Sequence, residues 1–131
     1  MEKGRTFLGR ILLLLEVKRA YRLKSSIDFQ AVYAKGRSAA NKAAVVYVLF
    51  HRTQDPSRVG FAAGRKLGKA VIRNRVKRRI KEAVRLLWPR VKSGTSLVVI
   101  ARQASIDMAF SQLCIKVEEL LERAGVLKAE A

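Results

Sequence analysis

"AVIRNRVKRRIKEAVR", residues 70–85, carries seven Lys or Arg among sixteen residues and a single acid, Glu82. Its apolar positions still recur with helical spacing. At roughly 100° per residue, Ile72, Val76, Ile80, Ala83 and Leu87 gather on one side, while Asn74, Arg75, Lys77, Arg78, Arg79, Lys81 and Arg85 spread over the rest. Arg73–Lys77, Arg75–Arg79, Lys77–Lys81 and Lys81–Arg85 are like-charge pairs four apart. At about 0.2–0.5 kcal/mol each, they oppose the helix by roughly 1–2 kcal/mol. Few folds admit such a segment. One stripe must dock on a partner layer, and a broad cationic arc must stay outside, facing something that compensates it.

The rest of the chain supplies the layer. "AAVVYVLFH" is β-branched and aromatic and reads as a strand. Val45, Tyr47, Leu49 and His51 share one face, and Val46, Val48 and Phe50 take the other. Apolar on both sides, it belongs in the middle of a sheet. After the Asp55-Pro56 turn signal, "VGFAAG" is a second strand; "LVVIAR" is another, and a short edge strand is expected around Arg37 to Ala40. Upstream, "SSIDFQAVYAKG" reads as a short helix, with Ser25 and Asp28 at capping-box spacing and Gly36 as the stop. Ile27, Phe29, Val32 and Tyr33 form its apolar side. The basic helix runs over Lys69 to Leu87 and stops before Pro89. A last helix lies in "SIDMAFSQLCIKVEELLERAG", with Ser105 or Asp107 as cap, Gly125 as stop, and Leu113, Val117, Leu120 and Ala124 as its apolar stripe. The order α-β-β-β-α-β-α predicts one α+β domain. No internal repeat, low-complexity tract or linker divides the 131 residues.

Half of the residues are apolar, so the chain can fold, yet 28 Lys and Arg against 10 Asp and Glu leave it at +18. Small soluble domains are comfortable at a net charge of about 2–8. The surplus points to a polyanion, nucleic acid first and an anionic membrane surface second. A solvated surface helix would mix both signs, whereas Gly64 to Arg85 holds ten bases and one acid. A membrane-surface helix would keep its apolar stripe for lipid, but here a sheet needs that stripe for its own core. Within the arc, Asn74 is either a neutral surface residue or an amide placed between two arginines to read a base edge or 2′-hydroxyl.

Other chemistries find little support. Cys114 stands alone, which excludes an intramolecular disulfide or a cysteine-based zinc site; with no exporting signal evident, a reducing, cytoplasmic setting is expected. The apolar run Ile11 to Leu15 is far short of a membrane span, and Glu16, Lys18 and Arg19 stand where a signal peptide needs small residues. Residues 1–20 therefore read as a disordered or loosely helical extension. His51 is the only histidine, so two-histidine ribonuclease chemistry is impossible; it shares the strand face of Tyr47. Asp28, Asp55, Glu82 and Asp107 are scattered, and "GKA" at Gly68 lacks the remaining elements of a phosphate-binding P-loop.

"RVGFAAGRKLGKAVIRNRVKRRIKEAVR" strongly resembles the signature of the bacterial ribonuclease P protein subunit, an Arg-Asn-Arg helix after a Gly-rich strand and turn. "RLKSSIDFQAVYAKGRSAAN" resembles that family's first helix and strand, and "LVVIAR" its last strand, so the likeness covers about residues 22–122. Gly64-Arg65-Lys66 stands where the family often has Ser-Lys-Lys, which removes a hydroxyl and keeps the charges.

The resemblance implies a single two-layer domain at residues 21–125, between the extension and a C-terminal tail at 126–131. It implies a four-stranded mixed sheet of ribosomal protein S5 domain 2-like fold, with a left-handed βαβ crossover against a right-handed preference of about 98%. The function implied is that of the small partner of a catalytic RNA that removes the 5′ leader from precursor tRNA. On this reading no protein residue is catalytic, Mg²⁺ is held mainly by the RNA, and there is no organic cofactor. The partners are the catalytic RNA and precursor tRNA, with no membrane and no homo-oligomer required. The catalytic RNA would meet Arg73, Asn74, Arg75, Lys77, Arg78 and Lys81, with Arg65, Lys66 and Lys69 at the preceding turn. Phe29, Tyr33 and Tyr47 would line a cleft for the single-stranded leader. Aromatic faces beside cations bind single strands without sequence preference, although the same rings would also serve as core. The alternative is a structural RNA-binding protein of ribosomal type with no role in cleavage.

Overall fold

The computed structural model describes residues 26–51 and 56–129. The expected extension at 1–20, the Ser25 cap position and Asp55 lie outside the described residues. The elements are α1 (Ser26–Lys35), β1 (Arg37–Ala40), β2 (Ala44–Phe50), β3 (Arg58–Ala63), α2 (Ala70–Leu87), β4 (Thr95–Ala101) and α3 (Phe110–Arg123), in the order that the sequence predicts. The strands form one sheet, β1-β2-β4-β3. β2 is antiparallel to both β1 and β4, whereas β3 and β4 run parallel, with Val59 beside Leu97 and Phe61 beside Val99. The sheet is therefore mixed, and β3-α2-β4 is a parallel βαβ unit.

The two-sided strand is central, as its pattern requires. Ala44, Val46 and Val48 enter the main core with Leu97 and Val99. α2 covers this face with Val76, Ile80, Ala83 and Val84, and α3 covers it with Leu113, Val117, Leu120 and Leu121. Full burial of such side chains stabilises by about 1.5–3 kcal/mol each, enough to hold the basic helix in place against its like charges. On the other face Val32 of α1 and Val98 are buried together, with Tyr47, Leu49 and Ile100 packed around them. Gly36 makes the passage from α1 to β1 possible, because a Cβ there would strike the carbonyl oxygens of Val32 and Val48.

Several expectations need correction. Ile72 stays 37% exposed, since it lies in the first turn of α2 and rests over Gly68, before the helix meets the sheet. Val84 and Leu121 are core residues that the expected stripes omitted. Neither Ser105 nor Asp107 caps α3. The chain makes a 3-10 turn at Gln103–Ile106 and enters the helix through Ala109, with no side-chain cap; the buried Ser105 hydroxyl donates instead to the Arg102 carbonyl at 2.6 Å. Packing also continues past residue 125: Val126 and Leu127 join the core, and Leu127 bridges to Val91.

Candidate nucleic-acid interface

β3 delivers the chain to the start of α2 through a 3-10 turn, Arg65–Leu67. Leu67 packs against the core, which holds Arg65 and Lys66 outward and exposed. Gly68 follows at φ +133, a region that L side chains rarely enter. Lys69, also exposed, occupies the N-cap position and provides no side-chain cap. The first turn of α2 contains no acid, although acids are favoured there because the unpaired N–H groups carry partial positive charge. Arg73 Nε donates to Gly68 O at 3.2 Å and Arg73 N to Lys69 O at 3.0 Å, so this residue ties turn and helix together. A bare helix N-terminus flanked by Arg65, Lys66, Lys69 and Arg73 is a receptive site for an anion. The missing cap was visible in the sequence, where Gly68-Lys69 replaces a Ser, Thr, Asp or Asn, but the expectation rested on charge alone.

Along α2 the cations fall into two sets. Asn74, Arg75 and Arg78 are exposed, and Lys77 is half-buried. Among the described residues, Arg65, Lys66, Lys69, Arg73, Arg75, Lys77 and Arg78 make no ion pair. Lys81 places Nζ 5.9 Å from the centre of the Phe61 ring on β3, an attraction between cation and ring face. Arg79 points elsewhere. Its guanidinium donates to the carbonyls of Ser105 at 3.1 Å, Ile106 at 3.3 Å and Met108, clamping the turn before α3. Arg85 donates Nε to both carboxylate oxygens of Glu82 at 3.1 Å, and this bonding raises its pKa. Each of the four like-charge pairs thus contains a cation with an internal partner of its own: Arg73, Arg79, Lys81 or Arg85. Val71, 79% exposed on the same helix, adds an apolar patch that the sequence reading did not place at the interface.

The aromatic positions are only partly placed. Tyr47 on β2 is half-buried and faces α1 through the small cluster around Val32 and Val98. Phe29 and Tyr33 lie on α1, but their side chains lie outside the described residues. At the end of β2, Ser96 Oγ is 3.1 Å from His51 Nε2. Among the described residues no three His, Cys, Asp or Glu come together as a metal site. Burial pushes the Cys114 thiol up, away from the reactive thiolate. No described helix is long and apolar enough to cross a membrane.

A family model described as Ribonuclease P matches residues 17–125. The ribonuclease P protein component of Symbiobacterium thermophilum is 68% identical over 114 residues, spanning 87% of this chain and 99% of that protein. The one from Clostridium kluyveri is 40% identical over 110 residues, spanning 82% and 97%. Among solved structures, a mutant of the Staphylococcus aureus RNase P protein with defective mRNA degradation activity aligns with TM-score 0.77 at 38% identity, covering 85% of this chain and 93% of that one. The RNase P protein from Thermotoga maritima aligns with TM-score 0.70 at 32% identity, covering 78% and 96%.

Proposed function

The chain belongs to the ribonuclease P protein family, and from that premise we propose how it serves the enzyme. It is a subunit of ribonuclease P, the endoribonuclease of tRNA 5′ processing. The catalytic RNA carries the chemistry and holds most of the Mg²⁺, while the protein binds that RNA and steadies the leader of precursor tRNA. One observation carries this reading: the turn and first half of α2 present Arg65, Lys66, Lys69, Arg73, Arg75, Lys77 and Arg78 without an ion pair among the described residues, around an uncapped helix N-terminus. Phosphates compensate that charge, and Asn74 between two arginines is suited to a base edge or 2′-hydroxyl. Lys81, held over Phe61, extends the same surface along the helix.

Tyr47, facing α1, is the sheet side of the leader cleft, with Phe29 and Tyr33 as its helix side. Unpaired leader bases would stack there at about 1–3 kcal/mol each. A protein-borne nuclease would need an activated water or nucleophile. Ser96 beside His51 is buried in the sheet and closed to a phosphodiester, and burial raises the Cys114 thiol. A subunit that works on precursor tRNA inside a ribonucleoprotein is expected in the cytoplasm.

Reconstitution with a bacterial ribonuclease P RNA tests the reading. Adding the protein should raise precursor tRNA cleavage at low Mg²⁺, and rigorously RNA-free protein should cleave nothing. Site-specific cleavage by the RNA-free protein would overturn the assignment of catalysis to RNA.

A further inference from the structure

At the sheet edge opposite β3, Arg37 of β1 and Arg123 at the end of α3 line a concavity of about 190 Å³ together with Ser38, Val48, Ala124 and Gly125. Each guanidinium is positioned by a contact of its own. Arg123 Nη1 donates to Ala40 O at 2.6 Å, and the Arg37 guanidinium carbon stands 5.2 Å over the centre of the Phe50 ring. A guanidinium carries five N–H donors, so most remain available to a further partner.

Among the described residues no acid compensates them. The lining contains none, and the three glutamates of α3 are engaged elsewhere: Glu118 and Glu122 reach Arg90 at 2.7 and 3.6 Å, and Glu119 reaches Lys116 at 3.4 Å. Among the described residues Arg37 and Arg123 make no ion pair. The end of α3 presents a negative dipole that opposes an anion. However, its last carbonyls are taken up, since Ala124 N donates to Leu120 O, Gly125 N to Glu122 O and Val126 N to Leu121 O.

We propose that this concavity binds one phosphodiester group of RNA, gripped by the Arg37 and Arg123 forks, as a second anchor separate from α2. Paired guanidinium forks suit a phosphate because parallel N–H donors match its oxygens. The inference rests on the RNA-binding reading above and adds a second place of contact. β1 and β3 are three strand spacings apart, about 14 Å, so an RNA lying on α2 reaches the site by crossing α3.

The test uses the full chain and measures the salt dependence of two affinities: protein for the ribonuclease P RNA alone, and reconstituted enzyme for precursor against mature tRNA. The variants are Arg37→Ala, which breaks no hydrogen bond among the described residues, and Arg37→Ala/Arg123→Ala. The double change should lower the log–log salt slope by about 0.7–0.9, and Arg37→Lys/Arg123→Lys should restore most of it. A loss with the ribonuclease P RNA alone assigns the phosphate to that RNA; a loss confined to precursor tRNA assigns it to the leader. Lys92→Ala/Lys128→Ala removes two exposed charges elsewhere and should leave the slopes unchanged. If Arg37→Ala and the double variant match that control in both measurements, the site does not exist. Arg73→Ala/Arg75→Ala serves as the positive control. Should it also change nothing, the RNA-binding reading of α2 fails, which is a distinct result.

Discussion

α2 and α3 lie on the same face of the sheet and contribute almost equally to its core, four buried residues each. Their outer surfaces follow opposite rules. On α3 the acids are settled within the protein, Glu118 and Glu122 with Arg90 and Glu119 with Lys116, and only Arg123 at its end makes no ion pair among the described residues. On α2 only the second half is settled, by Arg85 with Glu82 and by Arg79 on three carbonyls. Arg73, Arg75, Lys77 and Arg78, in the first half, make no ion pair among the described residues. The fold needs the buried stripe of each helix but not the outward charge of either. On the proposed reading, the half of α2 without ion pairs is the main part that answers to RNA.

The interiors should prove equivalent. Ile80→Ala on α2 and Leu120→Ala on α3, each replacing a side chain at 1% exposure or less, should both cost about 2–5 kcal/mol in denaturant unfolding. A much smaller loss for Ile80→Ala would mean that α2 is held by something other than the core. The two kinds of cation on α2 should separate next. Arg79→Ala removes the donor to three carbonyls and should cost about 1–3 kcal/mol of stability, whereas Arg78→Ala should stay within about 0.5 kcal/mol and weaken RNA binding instead. Thermal unfolding alongside RNA titration of the two variants checks the division. If both variants behaved alike, the comparison between halves of the helix would collapse.

What was legible followed from local pattern. The two-sided β2, the stripe of α2 and the stops at Gly36 and Gly125 all depend on residues within a few positions of one another. Helical periodicity groups Arg79 with the outward cations, because its partners lie 26 to 29 residues further on, beyond the reach of local pattern. The same remoteness explains α3: Ser105 has the chemistry of a cap, but the turn there is bound to Arg79 and the helix starts later, at Phe110. Val126 and Leu127 looked like tail, and only their contact with Val91 and its surroundings brings them into the core. For the candidate site, residue type identified the cations, while geometry separated those with internal partners from those without. Of the three rings proposed for the leader, Tyr47 is half-buried on β2 and faces α1, and the side chains of Phe29 and Tyr33 lie outside the described residues.

The cleft gives the next prediction in size. Tyr47→Ala should weaken precursor tRNA binding by up to about 1–3 kcal/mol and leave mature tRNA nearly unchanged, measured as paired affinities on the reconstituted enzyme. Equal losses would make Tyr47 a core residue only. The smallest effect belongs to α3. Its ion pairs are partly exposed, Glu118 at 39% and Arg90 at 26% of their side chains, so Glu118→Gln should cost only about 0.2–1 kcal/mol and leave RNA affinity alone. A clear change in RNA binding would show that the acid-bearing surface of α3, and not Arg123 alone, meets the ligand.

The central claim is that the unpaired half of α2 exists to meet RNA phosphates. It is tested most directly by the salt dependence of binding to the ribonuclease P RNA for the unmodified protein and for Arg73→Ala/Arg75→Ala. Two lost phosphate contacts should flatten the log–log slope by about 1.4–1.8. The fold should keep its stability to within about 0.5 kcal/mol, because reduced like-charge repulsion along the helix offsets loss of the exposed Arg73–Gly68 bond. An unchanged slope, with the variant folded, would contradict the account.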